Sequence, residues 1–164
     1  MKTKIINLYE YEELSEKAKK KALEDYNAND DYPFLQDDLR EYIHEELESK
    51  GFKEESIITP LYSLGYCQGD GLMFEGSISK DGNTYTIKHA GHYYHERSTN
   101  ISGTDKDGEE IDTKDFEENI YIPLCKEIAQ RGYSILEEMA SEEHFIEMCD
   151  ANDYTFREDG TMEN

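Results

Sequence analysis

The residues best suited to chemistry crowd into one stretch, LYSLGYCQGDGLMFEGSISKDGNTYTIKHAGHYYHERS, from Leu61 to Ser98. It holds His89, His92 and His95, Cys67, five tyrosines and a Gly69-Asp70-Gly71 turn. The three imidazoles could ligate a metal, with Cys67 supplying a further donor from a nearby strand. In an extended chain, however, His92 and His95 point to opposite faces because their interval is odd. Only a bend at Gly91 would bring His89 beside one of them, and HxxHxxH is no established ligand spacing. Sheet packing or surface hydrogen bonding is the simpler role, and no cofactor is expected. Cys67 beside a histidine could act as a nucleophile, yet its place in an apolar strand points to a buried structural thiol.

The turn itself allows two readings. Gln68 and Asp70 could hold a ligand or partner from a rigid scaffold. The glycines on either side also supply the positive φ angles of a plain hairpin turn or bulge. Neither a Walker loop nor GxGxxG is present, and DGNTYT and DKDGEEID lack the ligand spacing of an EF-hand. Tyr93 and Tyr94, with Tyr62, Tyr66 and Tyr85, would suit stacking on bases. Such platforms come with basic grooves, and this sequence offers none.

Charge is the second signal. Acids number 39 against 17 bases, a formal net charge of −22 over 164 residues, and the excess runs through both halves. A body of that charge repels nucleic acid and attracts basic surfaces. Solubility alone is the plain explanation. The sharper one is that carboxylates imitate phosphates and occupy a nucleic-acid-binding protein's cleft. The aromatic content and well-patterned helices argue against disorder.

The elements that must position these groups read as α+β, one antiparallel sheet of about four to six strands packed against N-terminal and C-terminal helices. A chain of this length is expected to form one domain. Its parts are a helical segment over 1–52, a β-meander over 53–102, helices over 113–152, and a short strand and tail over 153–164. Lys4–Tyr9 reads as a first strand. Ser15 sits as N-cap of a helix with Ala18, Ala22, Leu23 and Tyr26 on its apolar face. That helix also carries the chain's basic cluster, Lys17 and Lys19–Lys21, read as a counterweight to neighbouring acids. Asp30-Asp31-Tyr32-Pro33 ends it.

A second helix, Phe34–Lys50, places Leu35, Leu39, Ile43 and Leu47 on one stripe and stops at Gly51. Its other faces carry Asp37, Asp38, Glu41, Glu45, Glu46 and Glu48. Strands are expected at Ser56–Thr59, Leu61–Cys67, Leu72–Ser79, Thr84–His89 and, more weakly, His92–Ser98. A polar loop follows over 102–112. Asp112 or Thr113 caps a helix with Phe116, Ile120, Leu124 and Ile128 inward. Pro123 should kink or break that helix, and Gly132 offers a second break. Ser141 starts a last helix with Phe145 and Met148 inward, and Tyr154–Phe156 reads as a final strand. No membrane span, signal peptide, CxxC or disulfide framework is read from the sequence, so a reducing cytoplasm is the expected setting.

The combination of "LSEKAKKKALEDY", "LYSLGYCQGDGLMFEG" and "HYYHERS" resembles a group of small acidic proteins encoded by bacteriophages and mobile elements. They share a strand ending in Gln-Gly-Asp-Gly, an aromatic strand and a Tyr-x-His segment. Gln68, Gly69, Asp70 and Gly71, with Tyr93, Tyr94 and His95, match that pattern, and the likeness extends to about residue 130. It implies a phage protein made inside an infected bacterium, where small acidic proteins often inhibit host defence, as anti-CRISPR and anti-restriction proteins do.

The expectation is therefore a non-enzymatic inhibitor that binds a basic nucleic-acid-handling protein or complex of the bacterial host, with no direct nucleic-acid or membrane contact. Asp37, Asp38, Glu41, Glu45 and Glu48 form the first candidate surface, and Glu137, Glu138, Glu142 and Glu143 the second. The turn and the HYYH segment shape the scaffold or add a contact. The alternatives are an enzyme or metal and small-ligand binder built on Gln68, Asp70, His89, His92 and His95, and a regulatory or antitoxin-like partner whose acidity serves solubility.

Overall fold

The computed structural model describes residues 1–29 and 32–163, and the chain is α+β. Asp30 and Asp31, part of the expected helix stop, lie outside the described residues. The chain forms two compact units. One comprises residues 33–135; the other joins residues 1–32 to 136–164.

The larger unit is built on helix α2, Leu35–Ser49, and five antiparallel strands. The Leu35, Leu39, Ile43 and Leu47 stripe is wholly buried, each side chain contributing roughly 2 kcal/mol of burial. Lys50 closes the helix, and Gly51 takes the left-handed conformation, φ 84°, that follows many helix ends. The strands are β1 (Lys53–Glu54), β2 (Thr59–Ser63), β3 (Gly71–Lys80), β4 (Asn83–His89) and β5 (Thr99–Thr104). The order is β1-β3-β4-β5, with β2 also on β3. Ten-residue β3 is the axis: Gly71–Glu75 pairs with β2, while Gly76–Lys80 pairs with β4.

Before Gly76, β4 does not cover β3. There the buried Tyr121 hydroxyl takes the place of a strand, accepting from Phe74 N and donating to Phe74 O, both at 2.9 Å. Tyr121 reaches it from a widened π-type turn, Glu117–Tyr121, set between α3 (Lys114–Phe116) and α4 (Ile122–Met139). Asp112 caps this run through Lys114 N at 2.9 Å. The expected break at Pro123 becomes that widened turn, which makes room for a ring that cannot join the i→i−4 ladder. No break occurs at Gly132. It is buried in α4, and a Cβ there would lie 2.6 Å from Leu64 Cδ1, so this glycine allows close packing.

Several strand expectations are corrected. Residues 56–58 form no strand: Glu55 N and Ser56 N both donate to Ser77 O, and this bulge separates β1 from β2. The strand read as Leu61–Cys67 stops at Ser63. His92–Ser98 is a loop, and the strand falls one segment later, Thr99–Thr104, inside what was read partly as polar loop.

In the smaller unit, α1 (Glu16–Asn29) is capped by Ser15, whose Oγ accepts from Ala18 N at 3.2 Å. Helix α5 (Glu142–Asn152) is capped likewise by Ser141 through His144 N. Tyr11, Leu14, Ala18, Ala22, Phe145, Cys149 and Phe156 form its core; Met148, expected inside, is half-buried. Lys19 pairs with Glu12 and Glu16, Lys20 with Glu24 and Lys21 with Asp25, so these three lysines of the cluster offset neighbouring acids. Neither terminal strand forms. Tyr9 and Phe156 make one bridge, and the chain then turns over Arg157–Gly160, leaving Lys4–Leu8 no ladder partner among the described residues. No helix among the described residues is long and apolar enough to cross a membrane.

Candidate functional site

Two candidate surfaces lie in the larger unit: the tip formed by residues 63–71 with 89–98, and the outer face of α2. At the tip Asp70 organises its own loop. Its carboxylate accepts from Gly65 N at 2.7 Å, Cys67 N at 2.9 Å and Ser63 Oγ at 2.9 Å. The Cys67 and Gly65 amides, then the Ser63 hydroxyl, hold the carboxyl below the usual carboxylate range. Asp70 N closes the turn onto Cys67 O. So tight a loop forces Tyr66 into the left-handed region, φ 58°, which costs a bulky residue roughly 1–2 kcal/mol. That is why β2 ends early. The Tyr66 ring rests on Tyr133, centroids 4.4 Å apart, yet is 72% exposed.

The glycines of the turn receive the HYYH segment. Gly69, φ 85°, has the Tyr93 ring where a side chain would be, at 2.6 Å from a built Cβ, and Gly71 faces His95 Cβ at 2.8 Å. The two motifs therefore belong together because one packs on the other. Tyr94 stacks on His89, centroids 4.8 Å apart. Tyr93 and Tyr94 remain 58% and 40% exposed. The loop is tied by Ser98, whose N–H donates to His95 O and whose carbonyl accepts from Ala90 N.

The same contacts engage the histidines. His89 Nε2 meets Tyr93 O at 2.8 Å, so it is a donor, and His95 Nδ1 accepts from Arg97 N at 3.1 Å. Among the described residues no three His, Cys, Asp or Glu side chains converge as a ligand set. Cys67, expected buried in a strand, is exposed in the turn and donates to Gly65 O at 3.5 Å. Gln68 is exposed beside it. The participants that sequence reasoning missed are Ser63, Gly65, Tyr66 as a strained residue, and Tyr133. The polar SxGxCxxD spacing, with an Asp able to reach back over its own turn, was the available signal for the first two.

On α2 the geometry is simpler. At about 100° per residue, Asp37, Glu41, Glu48, Glu45 and Asp38 fall within an arc of about 100°, away from the buried stripe. Asp37, Glu41, Glu45 and Glu48 are exposed and Asp38 is half-buried. Arg40 and His44 flank the arc. Arg40 reaches Asp37 at 3.5 Å; His44 reaches Glu48 at 3.6 Å and Glu54 at 2.9 Å. Glu54 raises the His44 pKa above the ordinary imidazole value. Glu41 and Glu45 have no hydrogen bond or ion pair among the described residues. Glu46 lies off this arc and pairs with Lys50 and Arg131.

The second acidic group belongs to the smaller unit. Glu137 and Glu138 are exposed near the end of α4. Glu142 and Glu143 occupy the first turn of α5, where they complement the helix dipole, and Glu142 also accepts from the Tyr11 hydroxyl. These last two thus have a structural role of their own. That unit also has a cleft of about 190 Å³, lined by Tyr11, Cys149, Asp150 and Tyr154 among others. Burial pushes the Cys149 thiol up to about 11, which leaves it protonated and a poor nucleophile at neutral pH.

Comparison with protein-family models, with curated proteins and with solved structures finds no match for this chain.

Proposed function

We propose that the chain is a non-enzymatic, phage-encoded inhibitor of a bacterial defence system, of the anti-CRISPR kind, acting in the host cytoplasm. It engages a basic nucleic-acid-handling protein or complex through the outer face of α2. The observation that carries this reading is the spacing of the ridge. Asp37 to Glu48 covers about 16 Å of axis at about 1.5 Å per residue. Five carboxylates make four intervals in that length, a mean axial spacing of roughly 4 Å, of the same order as the roughly 3.4 Å per charge of one strand of duplex DNA. The helix is fixed by its buried stripe, so the charges keep their spacing without the partner having to order them. A net charge of −22 adds long-range attraction to a basic channel. The resemblance to acidic phage proteins supports the setting.

The test is capture from bacterial lysate on the immobilised full-length chain. Nucleic-acid-binding proteins are retained, released by salt and by competing duplex DNA, and not retained by the Asp37→Asn, Glu41→Gln, Glu45→Gln, Glu48→Gln variant. Retention indifferent to both salt and the ridge substitutions contradicts the proposal.

A further inference from the structure

The cleft in the smaller unit, about 190 Å³, falls below the roughly 300–1,000 Å³ of sites for drug-sized ligands. It suits a group the size of one side chain. Its deepest lining residues are Tyr11 and Cys149, 4% and 5% exposed, with Ile146 and Tyr154 half-buried beside them. The Tyr11 hydroxyl is taken by Glu142. The Cys149 thiol makes no hydrogen bond among the described residues, so a buried polar group faces the cleft without a partner.

The lining carries charge of one sign. Glu10, Glu12, Asp150 and Asp153 contribute to it, and no base does. After burial itself, the charges of Asp150 and Glu12 raise the Cys149 thiol, so both carboxylates stand close to it. They belong to different elements, Asp150 to α5 and Glu12 to the turn Tyr11–Glu13. The Asp150 and Asp153 side chains make no hydrogen bond or ion pair among the described residues.

An apolar floor under an acidic rim takes a cation on a hydrocarbon stem. Carboxylates that converge from separate elements suit a compact ammonium with three rotatable donors, whereas a planar guanidinium is matched by the two oxygens of one carboxylate. Lys19 shows an ammonium drawn to two of these residues. Its Nζ lies 3.8 Å from Glu12 and 5.7 Å from the centroid of the Tyr11 ring. It leaves Asp150 and Asp153 without a counter-charge.

We propose that this cleft binds a primary alkylammonium group, its stem against Tyr11, Ile146 and Cys149 and its charge held by Asp150 with Glu12. A lysine side chain of another protein and a free diamine share that chemistry. The site does not depend on the reading of α2.

The test is an NMR titration of the full-length chain with n-butylammonium at constant ionic strength, beside n-butanol and sodium chloride. Butylammonium shifts the Cys149 and Ile146 resonances saturably. Asp150→Asn weakens that binding about fivefold, as for the loss of one partly exposed ion pair. Neutralising the α2 ridge leaves it unchanged, so the two sites fail separately. Tighter binding of Nα-acetyl-lysine amide than of butane-1,4-diamine assigns the site to a partner's lysine, and the reverse order to a free diamine; both orders support it. Absence of shifts at Cys149 and Ile146 overturns the proposal, as do equal shifts with butanol or with salt alone. Binding that Asp150→Asn leaves untouched, or that the ridge variant loses, also overturns it.

Discussion

The Asp70 carboxylate accepts three hydrogen bonds from its own loop, whereas Glu41 and Glu45 on the outer arc of α2 accept none from the described residues. The groups are chemically alike and belong to the same unit. At the tip, the polar groups that attract attention in the sequence are engaged in holding the backbone: Asp70 its turn, His89 and His95 their loop. On α2 the apolar stripe fixes the helix; Asp37 and Asp38 add to its first turn and Asp37 and Glu48 make surface ion pairs, while Glu41 and Glu45 make no hydrogen bond or ion pair among the described residues. A residue whose bonding capacity the fold has used is a poor candidate for outside chemistry. One that the fold leaves unused, on a rigid support, is a better one.

The comparison is broken most severely where the tip's strand joins the core. Tyr121→Phe strands both Phe74 N–H and C=O in a dry interior. A loss of about 2–4 kcal/mol in urea unfolding is expected. Next is Gly69→Ala, which adds a Cβ at a positive φ and against the Tyr93 ring. It should cost about 1–3 kcal/mol and shift the Tyr93 ring resonances in NMR spectra.

How much of this was legible varies with the range of the interaction involved. The α2 stripe, the Ser15 and Ser141 caps and the β3–β4 hairpin around Asp81-Gly82 depend on neighbours a turn or less away, and they read correctly. The end of β2 did not, because Tyr66 looks like a strand residue until Asp70 reaches back and bends the chain. The Thr99–Thr104 strand was missed because TNISGT is polar and Gly-containing, and it is specified by pairing with β4. Pro123 and Gly132 read as breakers; one is absorbed by a π-type turn and the other by close packing. At the candidate site, residue types were legible, but which of them were already committed to the fold was not.

Acid sharpens the contrast further. Because the Asp70 pKa is lowered in the folded loop, its stabilisation is complete above the ordinary carboxylate value and disappears as pH falls through the lowered one. Amide protection factors at Gly65 and Cys67, relative to the unstructured chain at the same pH, should therefore fall at acid pH, and in Asp70→Ala at every pH. His44 runs the opposite way. Its pKa is raised by Glu54, so its contribution is complete below the ordinary imidazole value and fades as pH rises through the raised one. That exposed pair should produce the smallest effect, seen as a His44 titration by NMR that moves toward the ordinary value in Glu54→Gln, with Glu48 still nearby.

The central claim is that the ridge serves a partner and not the fold. The direct measurement pairs unfolding stability with oligolysine affinity across a salt series, for the wild type and the Asp37→Asn, Glu41→Gln, Glu45→Gln, Glu48→Gln variant. Variant stability is expected within about 0.5 kcal/mol of wild type, with wild-type affinity falling steeply with salt and variant affinity weak throughout. A variant that binds as well as wild type with the same salt dependence, or one that unfolds, would contradict it.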